Sequence, residues 1–344
     1  MESLKGVSIV ICCYNAESRI VPTLQHLQTQ QFSQTIPWEV LVIDNASTDK
    51  TSENAANEWA KNPVTAFKVY KEKRPGLNHA RDKGFKEALY NIVSLIDDDN
   101  WVEAHWVEKI YKIFEKRKAV GACGGQTKGV FESDPPEWFP HFQKSYVIGP
   151  QYFKEGIVKK EEAGNLWGAG LSIRKEIWQQ LQEINFKYVT TDRKGKSLSC
   201  GGDTELSYAV RILGYDLYYT NDLCMQHFIP TARLQWGYVE KLHLEFGKSK
   251  IRNFIYFSYY HGERLKSWHV NLRHAIYNYY KRKLALYVKK DQVSKWKNKI
   301  WAIWWKGQII QLLADRNKTK ENYIQLQSTF SNKHDKLRKK ILYE

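Results

Sequence analysis

Four short apolar runs alternate with amphipathic segments over the first hundred residues of the chain. The apolar runs predict buried β-strands at residues 7–13, 38–44, 65–72 and 91–97. Between them, apolar residues recur at helical spacing and predict helices at residues 17–30, 50–62 and 77–89. Strands separated by helices are typical of a mostly parallel sheet with helices on both faces. The first part of the chain is therefore predicted to be an α/β domain.

Three of these strands end in polar, turn-forming segments, at residues 13–15, 44–49 and 97–100. In open parallel sheets, ligands bind at the carboxyl ends of the strands. We therefore expect a binding site at this edge of the sheet. Asp44 could hydrogen-bond a base or a ribose there. Arg81, on the predicted helix 77–89, is a candidate for contact with a phosphate or an aspartate; a surface arginine is the more common role for such a helix position.

The fourth predicted strand, at residues 91–97, ends in three consecutive aspartates, Asp97, Asp98 and Asp99. Adjacent buried carboxylates repel one another, and without a cation we expect these charges only to repel. Mg²⁺ and Mn²⁺ bind carboxylate oxygens together with substrate phosphates. A bound cation would therefore offset the repulsion between the aspartates. The alternative interpretation is a solvated turn after a strand.

Residues 121–230 have a less regular pattern. A loop rich in proline and aromatic residues spans 131–142, and residues 164–178 predict a strand that is flanked by glycines and leads into a helix. A further helix is predicted to begin near Asp203 and to stop at Gly214, before another strand. Asp203 and Glu205 lie in the first turn of that helix, where the helix dipole favours negative charge. Helix stabilisation is thus the structural alternative to a catalytic role for both residues.

Charge divides the chain near residue 230. Residues 231–344 carry 25 Lys and Arg against 8 Asp and Glu, a net charge of +17, whereas residues 1–230 have a net charge of −1. The same C-terminal segment is rich in Trp and Tyr. We therefore predict one domain at residues 1–230, followed by a basic, mainly helical region at 231–344.

Five segments in this order resemble the family 2 glycosyltransferases with the GT-A fold: VSIVICCYN, EVLVIDNASTD, GLNHARDKG, LIDDDN and GGDTEL. The resemblance covers roughly residues 7–230. It implies a Rossmann-like, nucleotide-sugar-binding half at 1–120 and an acceptor-binding half at 121–230. It also implies a nucleotide-sugar donor, most often a UDP-sugar, with Mn²⁺ or Mg²⁺ as cofactor. Transfer would invert the anomeric configuration of the sugar.

The resemblance also implies roles for individual residues. Cys12, Tyr14 and Asp44 would line the base and ribose pocket. Asp97 and Asp99 match the outer positions of the family's Asp-any-Asp motif, with Asp99 as the main metal ligand. Because all three positions are aspartates here, Asp98 fits either the donor or the metal role.

The family's catalytic base is usually the aspartate of a Glu-Asp pair, which corresponds to Asp203. Gly202 replaces the glutamate, so Glu205 is a second candidate. His227 fits the position of a further metal ligand or diphosphate contact, and Arg233 could also reach the diphosphate. Trp167 could stack on a sugar in the donor or acceptor site. Structural roles for His227 and Trp167 are the alternatives.

Two other functions compete with this prediction. A sugar nucleotidyltransferase would share the sheet, but such enzymes usually have a Gly-rich basic loop after the first strand, which the segment CCYNAES lacks. A basic, aromatic-rich tail is also typical of proteins that bind single-stranded nucleic acid. No nucleic-acid-binding motif is recognisable, however, and the first 230 residues are nearly neutral.

The cysteines and the tail lead to a prediction of location. Five cysteines form no metal-binding spacing, and their odd number, without a secretory signal, favours a reducing, cytoplasmic environment. We expect residues 270–344 to dock on an anionic membrane surface, because the net positive charge lies beside Trp296, Trp301, Trp304 and Trp305. Residues 296, 300, 303/304 and 310 form the expected apolar stripe, with Lys295, Lys299 and Lys306 beside it. In the alternative, the tryptophans pack against the catalytic domain. The expected acceptor is a saccharide or a lipid-linked saccharide.

Overall fold

A computed structural model describes residues 4–159, 164–190, 192–193 and 198–343, with side chains up to residue 331. The described strands form one nine-stranded mixed sheet. Their bounds are β1 Leu4–Cys13, β2 Trp38–Asp44, β3 Ala66–Lys71, β4 Tyr90–Asp97, β5 Asn100–Val102, β6 Val120–Phe131, β7 Gly156–Ile157, β8 Ser172–Arg174 and β9 Asp216–Ile229.

The helices lie on both faces of this sheet and at the C-terminal end of the chain. Their bounds are α1 Ile20–Gln28, α2 Thr51–Lys61, α3 Leu77–Glu87, α4 Trp106–Lys116, α5 Lys175–Glu183, α6 Gly202–Ile212, α7 Trp236–His261, α8 Trp268–Val288, α9 Gln292–Ala314 and α10 Lys318–Tyr343. The structure confirms the predicted fold, a mostly parallel mixed sheet flanked by helices with a helical C-terminal region.

The strand order is β3-β2-β1-β4-β8-β6-β9-β5, and β7 also pairs with β9. The strands β3, β2, β1 and β4 are parallel, as the alternating pattern predicted, and every residue of β2 is buried. The short strand β8 is antiparallel to both β4 and β6. It therefore joins the first parallel half of the sheet to a second half, in which β6 and β9 are parallel. The carboxyl ends of β1, β2 and β4 meet at one edge, where Cys12 is next to Asp97 and Cys13 is next to Asp44.

The C-terminal helices pack on the catalytic region instead of projecting from it. Helices α7 and α9 cross in direct backbone contact, because both residues at the crossing are glycines. A Cβ atom added to Gly247 would lie 2.0 Å from the carbonyl oxygen of Trp304, and one added to Gly307 would lie 2.2 Å from that of Leu244. Helix α8 packs on the other side of α9, where the indole nitrogen of Trp268 donates to the carbonyl of Leu312.

This packing corrects the expected membrane-facing stripe on α9. Ile300 is buried, and Trp296 and Ile303 pack on an aromatic cluster that includes Trp138 and Phe142 of the 131–142 loop. Lys295, Lys299 and Lys306 remain exposed. Most of the stripe therefore holds α9 against the protein, as the alternative interpretation stated. None of the helices in the described part of the chain is long and apolar enough to cross a membrane.

Candidate active site

The three aspartates lie in a turn between β4 and β5 that Asn100 organises. The side-chain oxygen of Asn100 accepts a hydrogen bond from the backbone N–H of Asp97 at 3.2 Å, and its amide donates to Asp99 Oδ1 at 3.3 Å. The amide thus holds the turn at both ends. Asp98 and Asp99 are nearly inaccessible to solvent, so a solvated turn is excluded as the explanation of this motif.

Basic side chains of the protein itself contact two of these carboxylates, which corrects the expectation that the aspartates only repel. Arg19 pairs with Asp98 at 3.2 Å, and Arg233 pairs with Asp99 at 2.9 Å. Burial alone would raise the pKa of Asp99, but His227 and Arg233 outweigh burial and hold that pKa well below its usual value. The pKa of Asp98 is raised to about 6 by burial and by the charge of Asp99, against the opposing effect of Arg19.

Asp97 is the aspartate that faces open space. Its carboxylate lines a cavity of about 510 Å³ at the edge of the sheet. Among the described residues, no Lys or Arg forms an ion pair with it. Burial and the charge of Asp99 raise the pKa of Asp97. The cavity therefore contains a half-buried carboxylate whose negative charge lacks a direct partner.

Asp203 lines the same cavity from the first turn of α6. Its Oδ2 accepts from the N–H of Gly168 at 3.1 Å, and its Oδ1 accepts from the N–H of Thr204 at 2.7 Å. These bonds fix the carboxylate in one orientation. Burial and the nearby charge of Asp192 raise the pKa of Asp203, and Arg81 opposes them. A fixed carboxylate with a raised pKa has the properties of a general base.

Glu205, the second candidate base, lies elsewhere. It is completely buried and accepts hydrogen bonds from the backbone N–H groups of Val189 and Thr190 and from the Tyr256 hydroxyl. The reason is helical geometry, because two residues of an α-helix differ in direction by about 200°. Asp203 faces the cavity and Glu205 faces the core. The placement therefore argues against the expected share of Glu205 in catalysis.

Arg81 is a buried component of the cavity wall rather than a surface arginine. Its guanidinium pairs with Asp192 at 2.7 Å, and both side chains are almost fully buried. A Cβ atom on Gly202 would lie 2.7 Å from Asp192 Oδ2 and 3.0 Å from Arg81. The ion pair thus occupies the space next to position 202, which explains why a glycine stands there in place of the family's glutamate.

His227 lies beside Asn100 in the β5–β9 pair, and its two ring nitrogens have different partners. Nδ1 lies 2.9 Å from the carbonyl oxygen of Tyr146, and Nε2 lies 3.5 Å from Asp99 Oδ1. A carbonyl accepts only from an N–H, so Nδ1 carries a proton. Nε2 therefore faces the carboxylate of Asp99.

The residues at this edge fit a divalent cation on two observations: the uncompensated carboxylate of Asp97, and the pairing of His227 Nε2 with Asp99. Asp97, Asp99 and His227 would hold the cation, with Arg233 exchanged away from Asp99. Within the described ranges, no group of three or more acidic, His or Cys side chains is arranged to hold a metal ion as it stands. A cation here would therefore need further ligands, which substrate phosphates supply in such sites.

The predicted base and ribose residues lie at the adjoining sheet edge and do not line this cavity. Tyr14 is 42% exposed. The carboxylate of Asp44 accepts hydrogen bonds from the Ser47 N–H and the Ser52 hydroxyl of the following loop. Burial raises the pKa of the Cys12 thiol to about 12, so the thiol stays protonated. Contact of these residues with a donor remains a prediction.

The opposite wall of the cavity is aromatic and comes from the C-terminal region. Its side chains belong to α7 and α9: Tyr238, Leu242, Phe246, Phe257 and Trp304. Trp167 also lines the cavity, and its backbone N–H donates to Gln151. The predicted boundary at residue 230 therefore crosses one shared cavity, and the division into domains remains a prediction of composition.

Sequence reasoning missed Asp192 and the α7 and α9 residues of the cavity wall. Asp192 lies in an irregular loop with no motif that could have singled it out. Trp304 belongs to a segment of helical pattern whose tryptophans were assigned to a membrane surface, and Tyr238 belongs to no motif that the sequence singled out. The one usable signal was the glycine at position 202, because a missing side chain next to a predicted base requires another group to fill the space.

Comparison with known proteins supports the class of protein that this fold and site define. The model of the family described as glycosyl transferase family 2 matches residues 8–195, more than half of the chain. The protein therefore belongs to glycosyl transferase family 2.

Two curated relatives illustrate the similarity. The glucosyl-dolichyl phosphate glucuronosyltransferase of Haloferax volcanii is 23% identical over 193 residues, which are 55% of this chain and 58% of that protein. The dolichol-phosphate mannosyltransferase of Pyrococcus furiosus is 32% identical over 184 residues, which are 53% of this chain and 50% of that protein. The chain thus matches little more than half the length of these relatives.

Two solved structures share the fold over most of the chain. The mannosyltransferase PcManGT from Pyrobaculum calidifontis, solved with GDP-Man and Mn²⁺, has a TM-score of 0.55 and 16% identity, and the match covers 91% of this chain and 87% of that one. The S. aureus protein TarS 1-349, solved with UDP-GlcNAc, has a TM-score of 0.52 and 16% identity, with coverage of 92% and 89%. At this identity the similarity establishes the GT-A fold.

Proposed function

We propose that the protein is an inverting glycosyltransferase that moves a sugar from a UDP-sugar to a hydroxyl group of a saccharide or lipid-linked saccharide. The observation that carries this proposal is the cavity in which Asp203 and Asp97 face the same space. One carboxylate is held as a base, and the other is positioned for a cation. The family is shared with relatives named as glycosyltransferases. The resulting product would serve polysaccharide or glycoconjugate synthesis.

Asp203 acts as the general base in this proposal. The acceptor oxygen attacks the anomeric carbon on the face opposite the leaving diphosphate, so that a new C–O bond forms as the sugar–phosphate C–O bond breaks. Asp203 accepts the proton that the hydroxyl loses. The hydrogen bonds from Gly168 and Thr204 keep its carboxylate oriented throughout. Attack from the opposite face inverts the configuration of the sugar.

Asp97, Asp99 and His227 would hold the cation, Mn²⁺ or Mg²⁺, which would supply neutralisation of the charge that develops on the leaving diphosphate. Arg233 would turn from Asp99 to the diphosphate when the donor binds. Three further cations line the cavity, Lys144, Arg193 and Lys250. None of them has a carboxylate partner within the described part of the chain. These free positive charges favour a ligand with phosphate groups.

The aromatic wall formed by α7 and α9 would receive the acceptor. Aromatic side chains stack on the apolar faces of sugar rings, and Trp167 and Trp304 are the two tryptophans that line the cavity. We also propose that the enzyme works in the cytoplasm, at the cytoplasmic face of a membrane. All five cysteines are unpaired in the structure, which suits a reducing compartment. A lipid-linked acceptor would reside at that membrane face.

Nucleotide release from a panel of UDP- and GDP-sugars tests this function, with Mn²⁺, Mg²⁺ or chelator present. We expect slow release from one UDP-sugar that depends on the cation, and an increase when a membrane extract supplies the acceptor. The same donor should raise the melting temperature of the protein, since ligands that bind the native state stabilise it. Absence of both effects with every donor would contradict the proposal.

A further inference from the structure

The outward face of α8 carries a continuous strip of exposed apolar and aromatic side chains. Within this helix Ala275 is the buried residue. The exposed fractions on the strip range from 45% for Val270 to 85% for Tyr287. Its members are Val270, Tyr277, Tyr280, Leu284, Tyr287 and Val288. They are spaced by three, four or seven residues, apart from the last pair, and therefore lie on one side of the helix.

The opposite side of α8 contacts α9. The Arg282 guanidinium donates to Asn298, and the rings of His274 and Trp305 pack edge to face with centroids 5.2 Å apart. The strip is thus turned away from the rest of the described chain. The α8 strip thus differs from the α9 stripe, most of which packs against the protein.

Positive charge surrounds the strip. Residues 264–290 contain eight Lys and Arg and no Asp or Glu. Of the ion pairs formed between described residues, none involves any of these eight side chains, whereas cations of neighbouring helices do pair, as Lys299 does with Glu240. Asp291, just beyond this segment, interacts with Lys289, but so large an excess of positive charge is unfavourable unless an anionic partner approaches it.

We propose that this α8 surface docks the protein on an anionic lipid bilayer, with the helix lying in the interface. The proposal extends the membrane location given above and assigns it to α8 instead of α9. Tyrosine is favoured at the headgroup level, and aliphatic side chains such as Leu284 and Val288 reach the acyl boundary. Lysines and arginines beside the strip contact the lipid phosphates.

Two other partners fit the surface less well. A second copy of the chain would bring two sets of eight uncompensated cations together across a symmetric interface, which like-charge repulsion opposes. A nucleic acid would neutralise the cations, but its phosphate backbone would make no favourable contact with the aliphatic side chains of Leu284, Val288 and Val270. A bilayer with anionic headgroups satisfies both the charge and the apolar strip.

Cosedimentation of the full chain with vesicles tests the proposal. Vesicles of phosphatidylcholine alone are compared with vesicles that also contain phosphatidylglycerol, at low and high salt. We expect binding to the anionic vesicles only, weakened by salt. Lys289→Gln with Lys290→Gln should lower the partition coefficient by roughly 10- to 30-fold. The matched control, Lys116→Gln with Lys118→Gln, removes two exposed lysines at and just beyond the end of α4 and should leave binding unchanged.

A second pair of variants separates α8 from α9. Leu284→Gln with Val288→Gln should strongly reduce vesicle binding, whereas Ile310→Gln with Leu313→Gln, at exposed positions of α9, should not. Release of nucleotide from the donor in solution should be the same in all variants, because none of these residues lines the cavity. Equal melting temperatures confirm that the variants fold.

Each contrary result overturns a different statement. A full chain that stays in the supernatant with anionic vesicles at low salt contradicts both the membrane location and the role of α8. Vesicle binding that is lost in the α9 pair but not in the α8 pair contradicts α8 alone. A full chain that does not bind vesicles could instead form a dimer or bind a single-stranded RNA probe. If the α8 variants then lose that dimer or that RNA binding, the surface belongs to another partner. Donor turnover is measured separately, so the enzymatic function stands or fails independently.

Discussion

The two walls of the cavity differ in origin and in chemistry. The sheet-side wall presents charged groups at the end of β4, in β9 and at the start of α6, among them Asp97, His227 and Asp203. The helical wall presents the aromatic and apolar side chains of α7 and α9, among them Trp304. The acidic groups are held where strand ends and a helix start converge, whereas the aromatic side chains of the helical wall, which also carries Lys250, come from packing between helices. The sheet side is thus suited to the donor and the chemistry, and the helical side to the acceptor.

The largest effect should come from Asp99 on the sheet side. Asp99→Ala removes a proposed cation ligand, and we expect a loss of cation-dependent turnover on the order of 10³- to 10⁴-fold, because such cations contribute several kcal/mol. Nucleotide release is measured across a Mn²⁺ titration. Asp98→Asn is the control, since Asp98 pairs with Arg19 and does not line the cavity. Equal losses in both variants would contradict the separate roles.

Asp203→Asn should lower transfer by roughly 10²- to 10⁴-fold while donor binding is retained, because the amide cannot accept the proton. Donor-induced stabilisation in thermal melts reports the binding, and rates of transfer report the base. One of the two backbone N–H groups would lose its acceptor, so a small loss of stability is also expected. A decrease in transfer of less than about tenfold would remove Asp203 from the role of base.

On the helical wall, Trp304→Ala should act on the acceptor alone. We expect the acceptor KM to rise roughly 3- to 10-fold, which corresponds to about 0.5–1.5 kcal/mol for an aromatic contact. Release of nucleotide without acceptor should not change. Leu313→Ala, at an exposed position of α9 that does not line the cavity, is the control and should leave both quantities unchanged. A raised donor KM in Trp304→Ala would break the distinction between the walls.

Glu205 lies in the core behind the cavity wall, and we expect its substitution to change stability but not turnover. Burial raises the pKa of Glu205 to about 7, from an ordinary value of 4.5. Its stabilising contribution is therefore complete below pH 4.5 and decreases as the pH rises through about 7. Because Glu205→Gln does not titrate, its loss of stability should be about 1–3 kcal/mol near pH 5 and smaller at pH 8.

Urea unfolding at the two pH values measures this difference, with the exposed Glu183→Gln on α5 as a control that should unfold like the parent protein. Turnover of the folded Glu205→Gln variant should equal that of the parent. A variant that is fully stable but inactive would return Glu205 to the candidates for the base.

The difference between the walls also explains what the sequence could predict. Strand β4 and its aspartates were placed correctly, because an apolar run that ends in polar residues describes the end of a buried parallel strand. Glu205 was grouped with Asp203 because both lie in one helical turn, although the 100° step per residue already separates their directions. Asp192 and Trp304 reach the cavity through long-range packing, and no local pattern encodes which surface a helix will meet.

The contact of Gly247 with Gly307 has a consequence for how acceptor preference can change. The breadth of the cavity depends on how near α9 lies to α7, and that spacing is set by two residues that have no side chain. A single methyl group at either glycine would force the helices apart and carry Trp304 outward, while every residue that lines the cavity stayed the same. Divergence at this crossing could therefore admit a bulkier acceptor without altering the catalytic machinery, and selection for acceptor size can act on positions that no substrate touches.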